Sequence, residues 1–326
     1  MNKLWYTLKN LVMMFEGLGT QAISLLQTRM RCLRARPLKH PSITMQISET
    51  IADIRQSRWA NPNLSWGLVP TMGFLHAGHL SLVERARQEN DRVGVSIFVN
   101  PTQFNEAKDL EVYPRDMARD LTLLKEAGVD LVWTPEPETV YPPNYQTHVE
   151  VEEVTQLLEG AARPGHFRGV TTVVAKLFNV FQPNRAYFGQ KDAQQVAVIK
   201  QMVRDLNVNL DVVVCPIARD HDGLALSSRN SNLSPEAREQ ATCLYRALTA
   251  AQTTFAQGER NAEAIHLTII DLIASTPLAR LDYVSVANPV TLIELETITD
   301  QALLSMAVFV DNTRLIDNMI IGVVRK

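Results

Sequence analysis

The stretch Ser65-Trp66-Gly67-Leu68-Val69-Pro70-Thr71-Met72-Gly73-Phe74-Leu75-His76-Ala77-Gly78-His79 decides the fold. Residues 65–69 are a short apolar run that reads as a buried strand ending at Pro70, and residues 80–87 carry a helical pattern. Between them lies a turn with two glycines and two histidines. The same alternation continues outward. Residues 92–99 read as a β-branched strand ending in Asn100-Pro101, and 115–127 as an amphipathic helix stopped by Gly128. Residues 130–134 are a further strand, 169–181 a mostly apolar helix, 185–188 a strand, 193–206 a helix and 210–215 a strand before Pro216. Strands and helices alternating at this spacing imply an α/β architecture with a parallel sheet covered on both faces.

After about residue 220 the texture changes. Ser234-Pro235-Glu236 predicts the start of a long helix, because the Ser hydroxyl can accept an orphan N–H and Pro needs no donor at the first turn. A second helix is expected over 262–274, with short strands at 281–287, 307–310 and 319–324. This is a smaller α+β C-terminal domain. The expected boundaries are a basic extension outside the fold at 1–44, a first domain at 45–217 and a second at 218–326.

The 326 residues carry 32 Lys+Arg and 35 Asp+Glu, a net charge of −3. That total hides a split: residues 1–44 hold seven basic side chains and one acidic one, so the remaining 282 residues stand at −9. An acidic body argues against a general nucleic-acid binder. Composition at 46% hydrophobic and 21% charged is that of a folded globular protein. Cys32, Cys215 and Cys243 are widely spaced, with no CxxC pair, which supports neither a disulfide framework nor a cysteine zinc site. A reducing, cytoplasmic setting fits, and no apolar run is long enough to predict a membrane-spanning helix. The first 44 residues lack the uninterrupted apolar core of a signal peptide and the serine content of a transit peptide.

Ligands of open parallel sheets bind beyond the carboxyl ends of the strands, and four polar clusters fall there. In the first, 70–79, Gly73 and Gly78 permit close backbone approach, the helix start favours anions, and His76 and His79 can both donate to phosphate oxygens. Two histidines satisfied by local hydrogen bonds are the plainer alternative, and a zinc site lacks a third ligand. The second cluster, 98–104, offers Gln103, an amide that both donates and accepts. The third, 189–195, offers Lys191 as a mobile charge, Gly189 for close approach of a base or ribose, Asp192 as an N-cap or ribose contact, and Gln195 one turn into the helix. A solvated surface lysine is the commoner fate of any single Lys. The fourth, 222–230, contains Ser227, Ser228 and Arg229, which can act as a phosphate clamp or form an ordinary polar loop. GxGxxG, GxxxxGK[ST] and GxSxG are all missing from the sequence.

These four clusters, in this order and spacing, resemble the pantothenate synthetase (pantoate–β-alanine ligase) family, nucleotidyltransferases with an HxGH motif related to class I aminoacyl-tRNA synthetases. The resemblance runs from about Met45 to the C-terminus and takes in Arg163-Pro164-Gly165-His166-Phe167-Arg168-Gly169-Val170 and Arg314-Leu315-Ile316-Asp317-Asn318. Phe74 stands where the family usually has Ala, and His221 where a small or acidic residue is common. The resemblance implies a Rossmann-like nucleotidyltransferase domain followed by a smaller lid domain. It also implies a two-step reaction in which pantoate attacks the α-phosphate of ATP and β-alanine then displaces AMP from pantoyl-adenylate. It places Met72, Gly73, Phe74, Leu75, His76, Ala77, Gly78 and His79 around ATP, with Gly189, Gln190, Lys191, Asp192, Ala218, Leu226, Ser227, Ser228 and Arg229. His79 takes the proton-donor role, with His76, Lys191, Ser227, Ser228 and Arg229 as further catalytic groups. Gln103 and Gln195 hold pantoate, and Gln103 also faces β-alanine. Mg²⁺ accompanies ATP, with Asp120 at a position resembling a metal-contacting acid, and the family implies a homodimer. Another adenylyltransferase of the same superfamily would share the histidine motif without needing the Gln103/Gln195 pair. A non-catalytic nucleotide-binding scaffold would not need His79, Lys191 and Arg229 together.

Overall fold

The computed structural model describes residues 44–104 and 110–322. The basic extension, apart from its last residue, therefore lies outside the described residues, as does the end of the strand expected at 319–324. Thr44–Lys326 makes up a single compact unit.

A six-stranded parallel sheet comes first. Its strands are β1 (Gln46–Ser48), β2 (Trp66–Thr71), β3 (Arg92–Ile97), β4 (Leu131–Trp133), β5 (Arg185–Gly189) and β6 (Asp211–Cys215), in the spatial order β1-β4-β3-β2-β5-β6. The winding reverses between β2 and β5, so a crevice opens at their carboxyl ends. Alternation along each strand feeds two separate cores. Leu68, Leu131, Trp133, Ala186 and Phe188 face one layer, while Val69, Val132 and Tyr187 face the other. The first layer is covered by helices α1 (Ile51–Trp59), α4 (His166–Phe181) and α5 (Ala193–Asp205), and the second by α2 (Ala77–Glu89) and α3 (Met117–Glu126). Eleven of the sixteen residues of α4 are buried, as its apolar sequence requires.

The Thr44–Lys326 unit closes with a three-stranded antiparallel sheet of β7 (Ala279–Ala287), β8 (Gln301–Val310) and β9 (Thr313–Gly322). It packs with α6 (Cys243–Ala256) and α7 (Ala262–Ala274) around its own apolar cluster. Cys215 and Cys243 are both buried free thiols.

Several expectations change in detail. β2 does not stop at Pro70 but runs on to Thr71. Thr71 turns its carbonyl to the β3 side, where the N–H of Phe98, just past the end of that strand, donates to it at 3.1 Å, so Pro70 faces the β5 side. Pairing with β5 has already ended at Leu68, and the missing N–H of Pro70 costs no ladder bond. The long helix expected from Ser234 is broken: Pro235–Gln240 forms one short helix, capped as predicted by the Ser234 hydroxyl, and α6 begins at Cys243. β1 and α1 carry too few periodic residues to stand out in the sequence. Thr50 nevertheless caps α1 by accepting from Asp53 N–H at 3.1 Å.

Candidate active site

The strand β2 delivers its chain into the first polar cluster through a strained turn. Gly73 sits at φ +83° and Phe74 at φ +50°, both in the left-handed region. What holds this turn is Asp120, from the first turn of α3. Its side chain is 1% exposed, and its two oxygens accept from Phe74 N–H at 2.6 Å and Leu75 N–H at 2.8 Å. Arg119 adds a bond from its guanidinium to the Leu75 carbonyl at 2.9 Å.

The turn enters α2 through its two histidines. His76 is the N-cap residue, and its Nδ1 accepts from Gly78 N–H at 3.1 Å. His79 closes the box: its Nδ1 accepts from His76 N–H at 3.3 Å. Each imidazole therefore uses its lone pair locally and keeps its proton on Nε2, as a neutral donor. The local hydrogen bonding of the pair occupies only the Nδ1 atoms, and so leaves both Nε2–H groups available to a ligand. Burial first, and then His76 and Lys191 nearby, hold the His79 pKa down to about 3. Burial, followed by Lys191, lowers that of His76 as well.

An imidazole that is harder to protonate in the folded chain leaves the unfolded chain binding more protons as the pH falls. The contribution from His79 is thus fully present above the ordinary imidazole value of 6.5 and is lost progressively as the pH drops toward about 3. The melting temperature is expected to fall on acidification through this window, and less steeply in His79→Asn. Parallel melting curves for the two proteins across that window would count against the assignment.

The crevice at the switch of winding is a cavity of about 350 Å³. It gathers residues from all four sequence clusters: Met72, Gly78 and the two histidines from the first, Gln103 from the second, Gly189, Lys191, Asp192 and Gln195 from the third, and Leu226, Ser227, Ser228 and Arg229 from the fourth. Ala218 lines it as well. Gly73, Phe74, Leu75, Ala77 and Gln190 do not reach its wall, and neither does Asp120. Gln190 turns its amide to Asn318 instead, at 3.1 Å. Asp120, the acid the resemblance places by a metal, has both oxygens engaged by backbone N–H groups, which does not fit a metal ligand. Among the described residues, one trio of metal-capable side chains lies within 4.8 Å: exposed Asp220, His221 and Asp222. Arg238 bonds both of those carboxylates at 2.7 Å.

Several residues that orient the wall are not singled out by the sequence. Asn100, 1% exposed, donates from Nδ2 to Gln103 Oε1 at 3.1 Å, which leaves the Gln103 amide N–H groups turned toward Met72 and the cavity. Gly169 lets this segment seat on α4: a Cβ there would lie 2.4 Å from the Thr102 carbonyl oxygen. Asn318 in β9 donates to the carbonyls of Gln190 at 3.0 Å and Lys191 at 2.8 Å, fixing the turn that carries the lysine. Asp317 beside it is held by Arg219 through bonds of 2.6 and 2.9 Å. Glu159 accepts twice from Arg314, each at 2.8 Å, and Tyr283 bonds to the same carboxylate, whose pKa these partners hold down against the opposing effect of burial. Among these residues, Gly169, Arg314, Asp317 and Asn318 fall in the quoted runs at 163–170 and 314–318, which carry no role in the sequence alone, and Asn100 falls in the cluster at 98–104.

The profile of the pantoate-beta-alanine ligase family matches residues 46–320. The chain belongs to this family. A pantothenate synthetase from Herpetosiphon aurantiacus is 57% identical over 279 residues, covering 85% of this chain and all of the relative. The crystal structure of pantothenate synthetase from Thermus thermophilus superposes with a TM-score of 0.80 at 48% identity, over 84% of this chain and 99% of that one. The pantoate-beta-alanine ligase of Francisella tularensis, solved as a complex with beta-gamma ATP and beta-alanine, is 37% identical with a TM-score of 0.68, over 85% of this chain and 97% of that one. The match with the family thus spans both sheets and every wall of the cavity. Among the described residues no helix is long and apolar enough to cross a membrane.

Proposed function

We propose that the chain condenses pantoate with β-alanine at the expense of ATP, through pantoyl-adenylate, releasing pyrophosphate and AMP. The observation that carries this reading is the pairing, in one cavity, of phosphate-binding groups with two uncharged amides. The first half-reaction brings a carboxylate against a polyphosphate, two anions that repel each other. Nε2–H of His76 and His79, the Lys191 ammonium and the Ser227–Ser228–Arg229 segment bind and neutralise the phosphates, including charge that develops as pyrophosphate leaves. Gln103 and Gln195 place the pantoate oxygens without locking them into an ion pair, so the carboxylate stays free to attack. Gly189 and Asp192 border the nucleoside.

Mg²⁺ would accompany ATP, whose phosphate oxygens are hard ligands suited to it. Residues 218–326 serve as a lid domain over 45–217. The working protein is a cytoplasmic homodimer, which light scattering on the purified chain checks.

The reading is tested by AMP release with ATP, pantoate and β-alanine, omitting each in turn. AMP formed at an equal rate without pantoate would overturn it. Gln195→Ala is expected to raise the KM for pantoate about tenfold, the size of one lost hydrogen bond to a charged group, with the KM for ATP within about twofold. Equal rises in both would remove Gln195 from pantoate.

A further inference from the structure

We propose that His166 is the proton acceptor of the second half-reaction, taking a proton onto Nε2 from the amine nitrogen as it attacks the acyl-adenylate. This rests on the ligase reading above and deepens it. His166 is the first residue of α4 and lines the same cavity as the two histidines of α2. Its Nδ1 lies 2.8 Å from the backbone carbonyl oxygen of Gln103. A carbonyl only accepts, so Nδ1 carries the proton and the lone pair stands on Nε2. That is the opposite tautomer from His76 and His79, whose Nδ1 atoms accept from backbone N–H groups. The cavity therefore holds two imidazoles set as donors and one set as an acceptor. The first half-reaction uses donors, because it builds charge on phosphate. The second uses an acceptor, because it releases protons.

The other bases of the wall are committed. Both Glu159 oxygens accept from Arg314, Asp317 is bound by Arg219, and Asp192, half exposed and 3.9 Å from the Lys191 ammonium, is assigned above to the nucleoside. His166 is also neutral at pH 7. Burial and then the Arg163 guanidinium hold its pKa below the ordinary value, against smaller opposing effects of the Gln103 carbonyl, Glu159 and Asp192. Its place at a helix N-terminus disfavours the imidazolium further. The base also sits beside its substrate's holder. Gln103 is the residue whose side chain is assigned to pantoate and β-alanine, and the imidazole is hydrogen-bonded to that residue's own backbone.

The step balances as follows. β-Alanine gives one ammonium proton to water to become a neutral amine. The C–N bond then forms, the C–O bond to the phosphate of AMP breaks, and its electron pair leaves with AMP. The second proton passes from nitrogen to Nε2 and from there to solvent, leaving one hydrogen on the amide.

His166→Asn separates this role from simple support, because the Asn amide N–H can replace Nδ1–H on the Gln103 carbonyl but has no basic lone pair. Pantoate-dependent ATP–pyrophosphate exchange is expected to stay within about threefold of wild type. Consumption of preformed pantoyl-adenylate by β-alanine is expected to slow about a hundredfold, the low end for a lost general base. At the acid end, the wild-type rate should fall with the second power of proton concentration, one proton on the amine and one on His166. The variant should fall with the first power only. An equal slowing of both half-reactions, an unaffected β-alanine step, or parallel pH profiles would each overturn the assignment. Should His166→Asn fail to fold, His166→Ala supplies the test: added imidazole should restore the β-alanine step, and no restoration overturns the proposal. If the wild-type chain shows no pantoate-dependent exchange, it is the ligase reading that fails, not the role of His166.

Discussion

His79→Ala is expected to slow pantoyl-adenylate formation by about a hundredfold or more, the loss seen when one preorganised donor to a developing anion is removed. The same substitution also leaves His76 N–H without its acceptor and weakens the start of α2, at a cost of about 1 kcal/mol. His79→Asn separates the two effects, because its side-chain oxygen can accept from that N–H while no imidazole Nε2–H remains. It should be as stable as wild type at neutral pH and as slow as His79→Ala. Stopped-flow measurement of pyrophosphate release, with thermal melts on the same samples, checks both halves. An Asn variant that turns over at the wild-type rate would leave His79 with a capping role alone.

The second large effect is expected at Asp120. Its carboxylate is the acceptor for two backbone N–H groups of the strained turn at 73–75, and a hydrogen bond to a charged group is worth roughly 1.5–3 kcal/mol. Asp120→Ala removes both acceptors from a buried place, so a loss of about 3–5 kcal/mol is expected. His76 and His79, to which the proposed function assigns ATP binding, follow the turn directly, so the variant should also bind ATP at least about tenfold more weakly, which is about 1.4 kcal/mol of lost positioning. Asp120→Asn keeps one acceptor oxygen and should fall between. The decisive arm is a magnesium titration. Raising Mg²⁺ should not restore ATP binding, whereas recovery at high Mg²⁺ would move Asp120 from buttress to metal contact.

The contrast between these two residues shows what a sequence makes legible. His76 and His79 are three apart at a strand–helix junction, so their meeting at the start of α2 follows from local spacing, and the junction itself follows from apolar runs such as Leu68-Val69. The α/β alternation is readable because a strand covered on both faces must be apolar at successive positions, as Leu131, Val132 and Trp133 are. Asp120 is visible as an acid near the site, but its partners are 45 and 46 residues away, and nothing local says which atoms it will meet. Asn100 is hidden for a different reason. A loop asparagine before a proline normally caps a turn, and this one does, while its Nδ2 also fixes the face of Gln103. His166 stands out only as part of a run, since the tautomer that gives it meaning depends on a carbonyl 63 residues earlier. The break between Pro235–Gln240 and α6 escapes a sequence reading because helical propensity continues across it, and tertiary packing decides where the axis turns.

Asn318 lies 128 residues after Gln190 and 127 after Lys191, in the final strand of the described chain, yet it is what ties down the lysine's turn. The parallel sheet emerges from the ribosome first and can begin to pack on its own helices. The turn that carries Lys191, however, stays without the Asn318 bonds until β9 has been synthesised and paired. Competence for chemistry is therefore one of the last properties the nascent chain acquires, and a product of premature termination before β9 would carry most of the cavity wall without a fixed lysine.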